Sequence, residues 1–219
     1  MTLFKIPEEF MSIPFNERLK REFLSRILQI NKPALQETSY KLLDLVGNWF
    51  FICPGTKFEA PGSNHHDIEG GLVQHLLDVE RTALSLAHER YESEPINTDI
   101  LSFAALFHDI GKCFEFSYTG ETLYASLGHV AISLMIVPRV MEETQTDRET
   151  ILAVSHCFAS HHQRISEGAL VEPMTREAFI LASANRLDAN LWRLDDIESL
   201  GRPFIRGREC SRVFFSKQK

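Results

Sequence analysis

The sequence lacks a paired cysteine motif, a long apolar run and a basic leader, and each absence removes a class of protein. Its four cysteines, Cys53, Cys113, Cys157 and Cys210, are scattered with no CxxC spacing, so neither a zinc ribbon nor a dithiol redox motif is indicated. No apolar run approaches the roughly 18–20 residues that a membrane span needs. The N-terminal MTLFKIPEEF does not have the basic-then-apolar order of a secretory signal. We therefore expect a soluble, cytoplasmic protein with no membrane partner, its thiols kept reduced. Internal repeats and low-complexity tracts are also lacking.

Positive charge is scarce over most of the chain. The net charge is -7, but Arg202, Arg206, Arg208, Arg212, Lys217 and Lys219 against Glu209 give the segment beyond Leu200 +5, leaving -12 for the first 200 residues. An acidic body argues against a broad, sequence-independent grip on a nucleic-acid backbone, since that affinity comes from Lys and Arg. The basic tail reopens long nucleic acid as a partner, with a solvated charged terminus as the plainer reading.

What is present is a chain of 219 residues, 44% of them apolar, enough for one substantial core. Apolar residues recur at three- and four-residue spacing over Phe15 to Ile30 and Leu35 to Phe51, which predicts two packing helices. From Gly71, the series Leu72, Leu76, Val79, Ala83 and Leu86 marks one buried helical stripe with His75 at its edge. Asp99 to about Ile110 is apolar almost all round, as a central buried helix would be, and it ends in His108-Asp109. A short hairpin is expected near 114–125, around Thr119-Gly120. Helical patterning returns over Leu127 to Glu143, Asp147 to His162 and Thr175 to about Asp195. In that last helix Ile180, Ala184, Leu187, Leu191 and Leu194 mark the buried stripe, bordered by Asp188. The fold class is all-α. The division read from the sequence is a helical extension over 1–60, a catalytic unit over 61–200 and a basic tail over 201–219.

Asp109 carries the first chemical signal. A carboxylate at the end of an apolar helix faces a desolvation cost of several kcal/mol unless something cationic meets it. Lys112, in HDIGK, is one such partner and a divalent metal is the other. Asp188 repeats the argument on its own helix. Of nine histidines, His75, His108, His129, His161, His162 and His66 fall at helix ends or edges. Inward carboxylates with inward imidazoles form a mixed N/O set that suits Mn, Fe, Co, Ni or Zn better than Ca, which takes all-oxygen cages.

These residues occur as GGLVQH, FHDIGK, a later GH, SHH and NRLDAN, and in that order they resemble the HD superfamily of metal-dependent phosphohydrolases over roughly Asn64 to Leu194. Around the motifs, SNHHDIEGGLVQH and PMTREAFILASANRLDAN are similar to the HD domain of the YhaM-type 3′–5′ exoribonucleases; the HD-like domain of relaxases is a more distant likeness. The resemblance implies an HD-domain helical bundle. It implies that His75, His108, Asp109 and Asp188 hold a first metal, and that His129, His161 and His162 serve a second, with Asp109 as the bridge. One of His161 and His162 could instead touch substrate, since neighbours on a helix diverge by about 100°. Lys112 would neutralise a phosphate oxygen, and His65 and His66 are candidates to face substrate. The cofactor implied is a divalent metal, two ions in all, with Mg also compatible.

Residues 1–60 read as helices, where those exoribonucleases carry an OB-fold, so no stacking platform for a strand is read there. The leading expectation is hydrolysis of phosphate esters of nucleotides or short oligonucleotides through a metal-activated water, with Asp109 and Lys112 as the catalytic pair. Two alternatives stand beside it. One is a 3′–5′ exonuclease on single-stranded RNA or DNA that uses the basic tail as a strand guide. The other is a nucleotide-sensing or DNA-transfer accessory module without catalysis. The sequence does not fix the oligomeric state.

Overall fold

The structure, a computed structural model, describes residues 15–56, 65–90, 96–116 and 123–199. The first two helices are α1 (Glu17–Ile27) and α2 (Pro33–Val46), the latter followed by a 3-10 turn over Gly47–Phe51. Next come α3 (Gly71–Arg90), α4 (Thr98–Phe107) and the one-turn α5 (Lys112–Glu115). The last three are α6 (Leu123–Glu143), α7 (Arg148–Ser160) and α8 (Arg176–Ser199).

Several starts are set by side chains that satisfy the free N–H groups of a first turn. Asn16 accepts from Arg18 and Leu19 at α1, Asn97 from Ile100 at α4, and Asp147 from Thr150 at α7. Pro33 opens α2, where its missing N–H costs nothing.

The all-α expectation holds, with no strand among the described residues. The expected hairpin near 114–125 is not supported at either end. Phe114 and Glu115 complete α5, and Leu123 to Ala125 already belong to α6; residues 117–122 lie outside the described set. The alternation that suggested strands sits where buried Phe114 anchors a helical turn.

Helix α4 is the axis of the bundle, buried from Ile100 to Phe107 and packed by α3, α7 and α8. One hydrophobic cluster runs from Phe23 in α1 to Ala184 in α8, so the N-terminal helices share a core with the histidine-bearing ones. Phe23, Phe50 and Phe107 tie them together, with Phe23 edge-on to Phe50 at 5.0 Å and to Phe107 at 5.6 Å. Glu80 of α3 is buried in this packing and fully answered: Arg26 Nη2 and Nε donate to it at 2.6 and 2.8 Å, and Ser102 Oγ at 2.9 Å.

Two predicted stripes turn out rotated. Leu86 faces solvent while Ala87 is buried. In α8, Ile180 and Ala184 are buried, but Leu187 and Leu191 are half exposed. From Asn185 to Arg193 the inward positions of α8 are Asn185, Asp188, Ala189, Trp192 and Arg193, because that stretch of the helix serves a site and not a core.

Candidate metal centre

His108 and Asp109 lie in the turn between α4 and α5, so the buried axis of the bundle delivers them to its interior. Gly111 lets a second segment come close: a Cβ there would stand 2.1 Å from the His129 carbonyl oxygen. Ser133 fastens the junction, accepting from the Gly111 N–H at 3.0 Å and donating to the His108 carbonyl at 3.2 Å. Gly128 interrupts α6 with φ 73°, a left-handed value suited to glycine. The helix therefore restarts at His129, whose freed N–H donates to Glu115 at 3.0 Å.

Four imidazoles converge on the two oxygens of Asp109. His75 Nε2 and His108 Nε2 each stand 3.6 Å from Oδ2, and His129 Nε2 and His161 Nε2 each stand 3.4 Å from Oδ1. These separations are long for hydrogen bonds. They match the span of roughly 3.4 Å between two donors that each sit about 2.1 Å from a shared tetrahedral ion. His162 extends the second group, its Nε2 lying 3.0 Å from that of His129.

The tautomers point the same way. His108 Nδ1 donates to the Ala105 carbonyl at 3.0 Å and His161 Nδ1 to the Phe158 carbonyl at 2.7 Å. His129 Nδ1 donates to Glu115 at 3.0 Å and His75 Nδ1 to Asp188 Oδ2 at 2.6 Å. With each Nδ1 proton engaged, each Nε2 lone pair is left facing Asp109, the outer arrangement that fixes metal-binding histidines. His75 Nε2, His108 Nε2, His161 Nε2 and Asp109 Oδ1 are all buried without a hydrogen-bond partner among the described residues. Buried polar atoms are rarely left so. An unspent donor set of soft nitrogen and hard oxygen fits a divalent transition metal.

Electrostatics agree with a neutral-imidazole cage. Burial pushes the His108 pKa down to about 4, against the pull of Asp109, and burial does the same for His161. His162 is also lowered, by burial and then by the neighbouring His161 and His129. Burial opposes ionisation of Asp109, but Lys112, His108 and His129 outweigh it and hold the carboxyl well below the usual range. Lys112 Nζ lies 2.6 Å from Oδ2, so the lysine and the metal read from the sequence both find a place beside this carboxylate.

Asp188 takes a different position from the other named carboxylate. Its Oδ2 accepts from His75 Nδ1 and from His66 Nε2 at 2.9 Å, and these three residues form a group joined through His75 to that of His108 and Asp109. His66 is stacked on Trp192 at 4.0 Å. His65 does not join them; it lines a cavity of about 230 Å³ that also receives Asp109, Lys112, His161 and His162. All the residues singled out from the sequence thus meet in one region. Sequence reasoning missed Glu115, which holds His129, and Asn185, whose amide donates to the His161 carbonyl at 3.1 Å. Glu115 lies 14 residues before its partner, and no local pattern announces that contact. Asn185 had a weaker signal, standing three residues before Asp188 on the same helical face.

Among the described residues, no helix is long and apolar enough to cross a membrane. Cys53, Cys113 and Cys157 are free and buried.

Comparison with known proteins gives matches of two kinds. The family profile described as HD domain matches residues 72–190. The 3′–5′ exoribonuclease YhaM of Bacillus licheniformis is 30% identical over 210 residues, covering 94% of this chain and 63% of the relative. The protein of the same name from Listeria monocytogenes is 30% identical over 212 residues, covering 94% and 64%. The chain therefore spans less than two thirds of the length of these relatives. No solved structure matches the chain significantly.

Proposed function

The chain belongs to the HD-domain family, and from that premise we propose that it is a metal-dependent phosphohydrolase acting on short oligonucleotides or nucleotides. The observation that carries this reading is the buried cage around Asp109, where each oxygen faces two imidazole nitrogens and Oδ1, with the Nε2 atoms of His75, His108 and His161, has no hydrogen-bond partner among the described residues. On this reading His75, His108, Asp109 and Asp188 would hold one divalent ion, and His129, His161 and His162 a second, with Asp109 between them. Manganese, iron, cobalt, nickel or zinc suits the donor set, and magnesium is compatible.

Bound metal would supply a more acidic water and charge neutralisation at phosphorus. The chain's own groups do the rest. Asp109 positions the ions, and Lys112, buried in the same cavity, neutralises a phosphoryl oxygen as negative charge grows there. The four fixed Nδ1 protons keep the imidazoles from reorienting as substrate enters.

A second reading, exonucleolytic removal of nucleotides from a 3′ end, is favoured by the activity for which the relatives are named. In it, the basic segment 201–219 would guide the strand while residues 61–200 cleave and residues 1–60 buttress the bundle. This reading expects steep loss of binding with salt and a marked loss on deleting the tail.

The test is elemental analysis of purified protein joined to a panel of cyclic nucleotides, short single-stranded RNA and short single-stranded DNA. We expect bound transition metal, turnover on short strands, and loss of both in Asp109→Ala. Protein that holds metal yet cleaves nothing on the panel would overturn hydrolysis in favour of a binding module.

A further inference from the structure

Helix α8 turns two adjacent stripes inward. Asp188 and Trp192, one turn apart, meet His66. Asn185, Ala189 and Arg193, also one turn apart in succession, line the cavity beside the cage. From Asn185 to Arg193 that wall runs eight residues, about 12 Å at 1.5 Å per residue. Its near end is tied to the cage, since Asn185 donates to the His161 carbonyl.

The far end holds Arg193. Arg193 Nε is buried with no hydrogen-bond partner, and no carboxylate pairs with its guanidinium among the described residues. The other two cations of the cavity are engaged. Lys112 is paired with Asp109, and Arg186 is held by Glu167 at 2.9 Å and Gln163 at 3.2 Å. A buried N–H without an acceptor costs free energy, and the planar fork of a guanidinium matches the oxygens of a phosphate. Ala189 is the one aliphatic side chain in the cavity lining, so that wall offers little to the face of a base. At about 230 Å³, the space equals nearly eight waters at about 30 Å³ each, more than one phosphate group fills.

We propose that Arg193 seats a second phosphate of the substrate, one nucleotide unit away from the phosphate cleaved beside Asp109. The substrate class is then an oligonucleotide or a 5′-phosphorylated dinucleotide, and not a mononucleotide with a single phosphate. This rests on the phosphohydrolase reading above, and assigns Arg193 the part of choosing among phosphoesters.

The experiment compares the dinucleotide ApA with its 5′-phosphorylated form pApA, on the metal-loaded full chain and its Arg193→Gln and Arg193→Lys variants. The wild type should prefer pApA by about tenfold in kcat/KM, mostly through KM, the size of one charge-assisted hydrogen bond. Arg193→Gln should bring that preference to about one, and Arg193→Lys should keep part of it, with metal content and unfolding midpoint as wild type. A preference that survives in Arg193→Gln, or an equal loss on both substrates, would overturn the assignment. Calorimetric titration of the metal-free protein with the same two dinucleotides separates this from the broader reading. If the wild type cleaves neither, hydrolysis fails. Tighter binding of pApA that Arg193→Gln abolishes would still uphold the second seat, and equal affinities would end it.

Discussion

Glu80 and Asp109 are two carboxylates hidden almost completely from water in one helical bundle, and they differ in what surrounds them. Glu80 receives three donors from Arg26 and Ser102, and nothing on it is left over. Asp109 has one close partner, Lys112, while its Oδ1 and the four nearby Nε2 atoms lie at distances too long to satisfy one another. Burial alone therefore does not mark a functional acid. The mark is burial with hydrogen-bonding capacity deliberately unspent, because an interior closes around such groups only when something else completes them.

The contrast can be broken most forcefully at Asp109. Asp109→Asn should lower turnover at least about a thousandfold, as expected when charge stabilisation at the reacting centre is lost, with metal content per folded molecule falling alongside it. A fall in midpoint with activity retained would reverse the roles assigned to the two acids. Glu80→Ala should do the opposite. It leaves Arg26 and Ser102 without their acceptor and should cost about 2 kcal/mol in a urea melt, with metal content per folded molecule unchanged.

Asp188 sharpens the comparison, being a carboxylate bound to a cage histidine. Asp188→Asn should weaken metal affinity about 10–100-fold if it acts by holding His75. Complete loss of metal at micromolar protein would instead place it among the direct ligands.

Acid sensitivity tests the cage as a whole. Unfolded imidazoles take up protons as pH falls through about 6.5, whereas His108 and His161 resist until about 4. The unfolded state thus binds more protons between those values, so stability of the metal-free protein should decline from pH 6.5 to 4. The depressed pKa of Asp109 extends the decline below 4, where the unfolded carboxyl protonates first. Urea midpoints at pH 7, 5.5 and 4.5 read the slope; midpoints that rise on acidification would contradict the neutral cage.

Much of this was legible in the residues. The helical class followed from periodicity, and the order of His75, His108-Asp109, His129, His161-His162 and Asp188 carried the family. What stayed hidden has physical reasons. Periodicity shows that a helix has an apolar stripe without showing what covers it, so Leu187 and Leu191 were read as buried when α8 had given its inward face to Asp188 and Arg193. Residues that act by touching others far along the chain, such as Glu80 on Arg26 or Glu115 on His129, leave no spacing to detect. Arg193 is invisible for a further reason, since one arginine on a helix is ordinary until its Nε is found buried with no partner among the described residues.

The two oxygens of Asp109 reach imidazoles from different pairs of helices, α3 and the end of α4 for one, α6 and the end of α7 for the other. A single rigid group three atoms wide is thus the hinge-pin of both halves. On the two-ion reading proposed above, filling one half would align that pin for the other, so loading should proceed as a joint event with a steep isotherm, and injury to either half should be felt by its twin.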